Sequence, residues 1–364
     1  MGEHRLMRTR TALSAVLALF VFTASSAEAR ELATVTRLDA GQVELDRGDD
    51  APVSVWLSTD TNLDSSDNLV AKATKAEKLA VDLPEGKRAY LLLQGADGNV
   101  HVVAERVLPL QQGSNFRDIG GYVTKDGGVV RWGKVYRSGA QPLLTDADLA
   151  LVDQLDIGTV VDLRSLEERQ INPDTIDDRE GALFVSNDYS MKALMGPMMA
   201  RKGEHIYEGM EKLLAPQYRS LYRRIMAEGD GDDEGAVLYH CSAGQDRTGV
   251  ATALLYDMLG VDRETILADY HLSTDLRRPY WEMPRFDAAD YPNNPIAQHY
   301  AKEYADKDTK AKPLYTPSGE SHLAQFFTYL DATYGGAAGY MKQVLGFTDA
   351  DLAKLRSVML QPAG

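Results

Sequence analysis

The sequence predicts an α/β fold, a mainly parallel central sheet flanked by helices and preceded by a small β-sandwich-like domain. Two patterns predict it. From about residue 110 onward, strand-length apolar runs alternate with segments of helical period, as in a parallel sheet wrapped by helices. Before that point, residues 31–108 carry only short alternating runs broken by frequent turns, as in a two-layer β unit. A length of 364 residues with 44% hydrophobic side chains suffices for packed cores in both parts.

In the first part, "ATVTRLDAGQVELDR" places two strands around Asp39-Ala40-Gly41, a hairpin signature. "VSVWLST" alternates again, and "AYLLLQGADGNVHVVAERV" reads as two strands around Gly95–Asn99. Residues 30–109 therefore read as a β-rich accessory domain of fibronectin or immunoglobulin type. It holds no His, Asp or Glu cluster at ligand spacing, and its sequence names no partner.

The second part, residues 110–364, opens with a helix started by Thr145 or Asp146 and a continuous apolar strand at Thr159–Leu163. "GAVLYH" (235–240) is another buried strand. "RTGVATALLYDMLG" is a helix ending at Gly260, and "DRETILADYHLS" begins a further helix capped by Asp262. From His322 to the end the chain reads as two or three helices separated by glycine turns. There are no internal repeats.

The N-terminus has the parts of a signal peptide: Arg5, Arg8 and Arg10, then the apolar run "ALSAVLALFVF", then small residues at Ala27 and Ala29. The apolar run is too short to span a bilayer, so residues 1–29 predict export to the periplasm or medium without stable membrane insertion. The formal charge of −15 excludes a protein built to coat nucleic acid or an anionic membrane. Removing residues 1–29 takes away three arginines and two glutamates and leaves the remainder one unit more acidic.

Cys241 is the only cysteine. Exported proteins usually pair their cysteines, and this one has no internal partner, so it is either a buried filler or a required thiol. Its surroundings favour the second. A buried strand runs into His240-Cys241-Ser242-Ala243-Gly244-Gln245-Asp246-Arg247 and then into an apolar helix. Small residues let the backbone curl with its N–H groups inward, and the helix start adds its positive dipole end. Arg247 can return with a planar fork that matches two phosphate oxygens. A thiol in such a field ionises readily. It would attack phosphorus in line, and the cradle would hold the equatorial oxygens in the transition state. No cofactor is implied, and no HExxH or paired His–carboxylate motif implies a metal.

"HCSAGQDRTG" resembles the HCxxGKDRTG loop of bacterial protein tyrosine phosphatases, the branch that includes secreted mycobacterial tyrosine/lipid phosphatases. "SNFRDIGGYVTKDGGVVRWGKVYRSGA", "TVVDLRSLEER", "LLYDMLGVDRETILADYHLS" and "YGGAAGYMKQVLGFTDADLAKLR" are similar to other segments of that family, so the likeness covers most of residues 112–360. It implies a cysteine-phosphatase-like fold and hydrolysis of phosphotyrosine through a phosphocysteine intermediate, with a phosphotyrosine protein or small phosphomonoester as substrate. It further implies that Ser242, Ala243, Gly244, Gln245 and Thr248 bind phosphate or support the thiolate, Thr248 from behind the cysteine.

Under the same resemblance Asp246 is the proton donor, with Asp188 in "FVSNDYS" as the alternate at the position of a mobile-loop acid. His240 and Asp118 are loop supports. Arg117, Arg137 and Arg164 either line the pocket or pair with Asp118, Asp162 or Glu168, the second reading being preferred for Arg164. Gln245 stands where the family has lysine. The missing cation favours phosphotyrosine over phosphoinositides or inositol phosphates, the alternative substrates, although Lys192, Arg201 or Lys202 could replace it. A phosphate-binding pseudophosphatase is the remaining alternative, against which stand Cys241 and Arg247. Five methionines in "MKALMGPMMARKGEHIYEGM" and the aromatics between Tyr280 and Tyr315 read first as packing and second as a lid or docking surface.

Overall fold

The computed structural model describes residues 31–177, 179, 181–228 and 235–361, so the signal-peptide reading lies outside the described residues. Seven strands come first: β1 (Thr34–Asp39), β2 (Gln42–Asp46), β3 (Val53–Ser58), β4 (Asn68–Thr74), β5 (Lys78–Asp82), β6 (Tyr90–Gly95) and β7 (Val100–Val103). They form two antiparallel sheets, ordered β1-β2-β5 and β4-β3-β6-β7. Val43, Leu45 and Val81 of one sheet meet Val55, Leu91, Leu93 and Val103 of the other in a shared core, which makes the unit a sandwich. Strand β4 escaped the sequence reading because most of its side chains face solvent and leave no apolar alternation.

Strand β6 is buried on both faces. Leu91 and Leu93 point into the sandwich, while Tyr90 and Leu92 pack with Trp132 from the second part of the chain. Polar contacts cross the same boundary. Arg88 Nη2 lies 3.3 Å from Asp118 Oδ2, and Arg106 Nη1 donates to the Asp118 carbonyl at 3.1 Å.

The second part begins with β8 (Arg117–Asp118), β9 (Val129–Val130), β10 (Val135–Ser138), α1 (Asp146–Val152), β11 (Ile157–Asp162), α2 (Leu166–Ile171) and β12 (Leu183–Ser186). Next come α3 (Met191–Ala200), α4 (Met210–Leu213), α5 (Ala215–Glu228), β13 (Ala236–His240), α6 (Arg247–Leu259) and α7 (Arg263–Leu276). The chain closes with α8 (Ala297–Glu303), α9 (His322–Tyr334), α10 (Ala337–Gln343), α11 (Asp349–Met359) and β14 (Leu360–Gln361), which pairs with β9.

The central sheet has the order β12-β11-β13-β10-β8, with four parallel strands and an antiparallel edge at β8. Its middle strand β13 is buried along its whole length, as its continuous apolar run requires. Asp162 of β11 and Ser138 of β10 both pair with His240 of β13, so three strands end at one level with Cys241 next in the chain. That crevice at the carboxyl ends of the strands is where open α/β sheets take ligands.

Local signals set the helices around it. Thr145 and Asp148 form a capping box at α1, and Ser165 and Glu168 form another at α2. Gly260 closes α6 in the left-handed region at φ +90°. Asp262 precedes α7 as expected but makes no side-chain cap. The C-terminal stretch contains three helices, α9 to α11, the first two separated by Gly335 and Gly336. Among the described residues no helix is long and apolar enough to cross a membrane.

Candidate active site

The loop from Cys241 to Arg247 is held by its carbonyls. Ser242 O accepts from Ala140 N at 2.9 Å, Ala243 O from Asn115 Nδ2 at 3.0 Å, and Gly244 O from Arg137 Nη2 at 2.7 Å. The amides of Ser242 to Asp246 find no acceptor among the described residues, which leaves them available to an anion. Gly244 makes the curl possible. Its φ is +67°, and a Cβ there would lie 2.5 Å from Ser138 O and 2.7 Å from Gly139 N.

Arg247 is the first residue of α6 and doubles back over the loop. Its fork meets Glu168 in a bidentate pair, Nη1 to Oε2 at 2.6 Å and Nη2 to Oε1 at 2.7 Å, and Nη1 also donates to Tyr189 Oη at 2.8 Å. Ser242 Oγ and Tyr300 Oη donate to the same carboxylate at 2.6 and 3.2 Å. Burial alone would push the Glu168 carboxyl up, but Arg247 and these donors hold it down at about 2. From the sequence alone Glu168 is a candidate partner for Arg117, Arg137 or Arg164, and its pairing with Arg247 is a finding of the structure.

Asp246 lines the same pocket as Cys241 and Arg247. Its Oδ1 accepts from the buried Tyr207 Oη at 2.7 Å, and Tyr207 in turn contacts Tyr270 Oη at 2.6 Å. The structure does not bring Asp188 into the pocket. It follows β12, leaves 68% of its side chain exposed and pairs with Arg169. Of the two proton-carrier candidates, only Asp246 faces the thiol's cavity.

The supports behind the loop are a set of buried ion pairs. Arg164 holds Asp162 at 2.8 Å, as preferred from the sequence. Arg117 and Arg137 instead share Asp269 at 3.2 and 3.1 Å, so neither pairs with Asp118, Asp162 or Glu168, and no local pattern in the sequence marks Asp269 as their partner. Asp118 is a buried anchor for Arg88 and for the amides of Gly120 and Gly133, at 2.8 and 2.9 Å. His240 Nδ1 lies 3.4 Å from Cys241 O, and its ring faces Asp174 at 3.8 Å and Asp177 at 3.7 Å. Burial works against its charge, but Asp162, Asp177 and Asp174 outweigh that and raise it to about 9. Asp162, Asp177 and His240 come close enough to suggest a cation site, yet both Asp162 oxygens already accept from Arg164. Thr248 is wholly buried, and its hydroxyl has no hydrogen-bond partner among the described residues.

Cys241, Ala243, Asp246 and Arg247 form the floor of a pocket of about 250 Å³. Met191, Leu194, Met195, Met198 and Met210 line it together with Ile296, Tyr300 and Tyr304, and Arg277, His299 and Glu303 add polar and charged groups to the same lining. The methionine helix and α8 therefore frame the site as well as pack, while Phe286 and Tyr291 lie off the pocket, in the cluster of Ile171 and Met283 that Tyr304 joins to it. Gln245 is buried off the pocket, where its Oε1 accepts from Arg277 Nη1 at 2.7 Å. Arg277 lines the pocket and brings a cation to it, whereas Lys192, Arg201 and Lys202, the sequence candidates for that charge, are not in its lining. The position of Arg277 just after the family-like helix α7 was the available signal.

A model of the tyrosine phosphatase family matches residues 108–361. A tyrosine-protein phosphatase of Nostoc commune is 32% identical over 229 residues, 61% of this chain and 72% of its own. A putative tyrosine-protein phosphatase of Cupriavidus necator is 28% identical over 277 residues, covering 74% of this chain and 93% of its own. The triple specificity protein phosphatase PtpB of Mycobacterium tuberculosis is 28% identical over 281 residues, covering 68% and 96%.

Proposed function

The chain belongs to the tyrosine phosphatase family, and from that premise we propose that it hydrolyses phosphotyrosine monoesters through a phosphocysteine on Cys241. One observation carries this reading. Cys241, Asp246 and Arg247 line one pocket together with methionine, leucine, isoleucine and tyrosine side chains, with Arg277, His299 and Glu303 also in its lining. The apolar and tyrosine side chains suit the flat apolar ring of a phenyl phosphate, and the floor suits its dianion.

In the first step Cys241 Sγ bonds to phosphorus as the bond to the phenolic oxygen breaks, and Asp246 gives that oxygen its proton. The free loop amides and Arg247 hold the equatorial oxygens through the transfer. In the second step water attacks phosphorus and leaves its proton on Asp246. The sulfur–phosphorus bond breaks, releasing phosphate and the Cys241 thiolate. We also infer export from residues 1–29, which N-terminal sequencing of the protein from its host would check.

The test is phosphate release by the protein beside Cys241→Ser, with chelator present. The panel holds phosphotyrosine, phosphoserine and phosphothreonine peptides, soluble phosphoinositides and an inositol phosphate. Release from phosphotyrosine that vanishes in the variant is the expected result. Release mainly from inositol compounds would keep the chemistry and change the substrate, and tight phosphate binding without release would make the cradle a receptor.

A further inference from the structure

The catalytic pocket does not end at Arg277. A second cavity of about 480 Å³ continues from it, and the two share Arg277, His299 and Glu303 in their walls. The second cavity adds Lys302, Lys310 and Lys312, all exposed, against one further carboxylate, Asp306. Glu303 accepts from His299 at 2.8 Å, and Arg277, which lines both cavities, pairs with Glu282 at 2.8 Å. Lys302, Lys310 and Lys312 form no ion pair among the described residues. A chain with net charge −15 thus places a run of uncommitted cations beside its reaction centre.

We propose that this groove is a specificity site that reads acidic residues flanking the phosphotyrosine of a protein substrate, with Lys302, Lys310 and Lys312 as the reading residues. The inference rests on the function proposed above and names its substrate class. An extended peptide advances roughly 3.3 Å per residue, so side chains within a few positions of the phosphotyrosine reach the adjoining cavity. The lysines border a concavity that also holds Glu303 and Asp306, so its positive charge is divided among separate points and suits separate carboxylates better than one broad anionic face. An anionic membrane calls for a continuous basic face and would repel the rest of this acidic chain.

The experiment measures kcat/KM for phosphotyrosine peptides with acidic, neutral or basic residues on either side of the phosphotyrosine. It compares the protein with a Lys302→Ala/Lys310→Ala/Lys312→Ala variant, using a small aryl phosphate as reference substrate. The expected result is a preference of roughly fivefold to tenfold for an acidic flank, weakened by salt and lost in the variant, with aryl phosphate turnover unchanged. Equal rates on all flanks, with aryl phosphate still hydrolysed, would overturn the groove reading and leave the proposed function standing. No hydrolysis of aryl phosphate or peptide would sink the proposed function itself. A variant defect seen only with phosphoinositide in vesicles would overturn the peptide as occupant.

Discussion

Glu168 accepts both prongs of the Arg247 guanidinium, and it does so as the third residue of α2, where it also closes a capping box with Ser165. The Ser165 amide donates to Glu168 Oε2 at 2.8 Å, the oxygen that also takes Arg247 Nη1. One helix start therefore aims the phosphate-binding fork. A feature worth about 1 kcal/mol as a cap serves here as the orienting element of the site.

Glu168→Gln should remove the charge from that pair and leave Arg247 buried without its counter-ion. Stability should fall by about 3 kcal/mol, and kcat/KM on an aryl phosphate by on the order of 10²-fold, as expected when a positioning contact is lost. The sign with pH follows from the carboxyl being held down at about 2. Its contribution is complete above the unfolded value near 4.5 and is lost as pH falls through 2. Acid titration of thermal stability should show a loss in that window for the parent and a flatter curve for the variant.

Asp246→Asn should lower kcat for phenolic leaving groups of high pKa by roughly 10²–10⁴-fold and change little for an activated ester that needs no proton. Asp188→Asn, altered in an exposed pair outside the pocket, should leave both rates near parent. A reversed outcome, with Asp188 rate-determining, would mean that the segment after β12 closes over the pocket during turnover. Tyr207→Phe removes the hydroxyl that donates to Asp246 and should lower kcat for phenolic leaving groups of high pKa while leaving the activated ester near parent.

Gly244→Ala tests the loop's curl directly. The added methyl would meet Ser138 O at 2.5 Å in a conformation that alanine disfavours. Strain of about 1–3 kcal/mol should appear in denaturant titration. Phosphate binding should weaken with it, because the free amides lose their common direction.

His240 carries the opposite pH signature from Glu168. Its charge is favoured in the fold up to about 9, so its stabilising contribution is complete below the unfolded value near 6.5 and is lost as pH rises through 9. The parent should lose roughly 2–3 kcal/mol over that range, and His240→Gln should flatten the slope. Thermal unfolding at pH 6 and pH 9 distinguishes the two.

Much of this site lay in one contiguous stretch and was legible there. The strand, the small-residue loop and the apolar helix from residue 235 to 260 announce their own geometry, since period and glycine placement are local properties. The partners across the fold were harder to read. Asp269 beneath Arg117 and Arg137, Glu168 against Arg247 and Arg277 beside Gln245 are pairs between residues 32 to 152 positions apart. A charged residue's partner is set by which strand ends and helices converge, and a single sequence does not show that convergence. The same holds for β4, whose exposed faces carry no period to detect.

Both cations facing Asp118, Arg88 and Arg106, come from residues ahead of position 108, where the family match begins. Burial pushes the Asp118 carboxyl up, and Arg88 and Arg106 counter it. The recognisable catalytic segment therefore takes the counter-ions of a buried carboxylate from the sandwich ahead of it. An expression fragment trimmed to the match would strand a buried acid and bare Trp132, whereas the longer chain should melt in a single calorimetric transition with sandwich and catalytic sheet lost together.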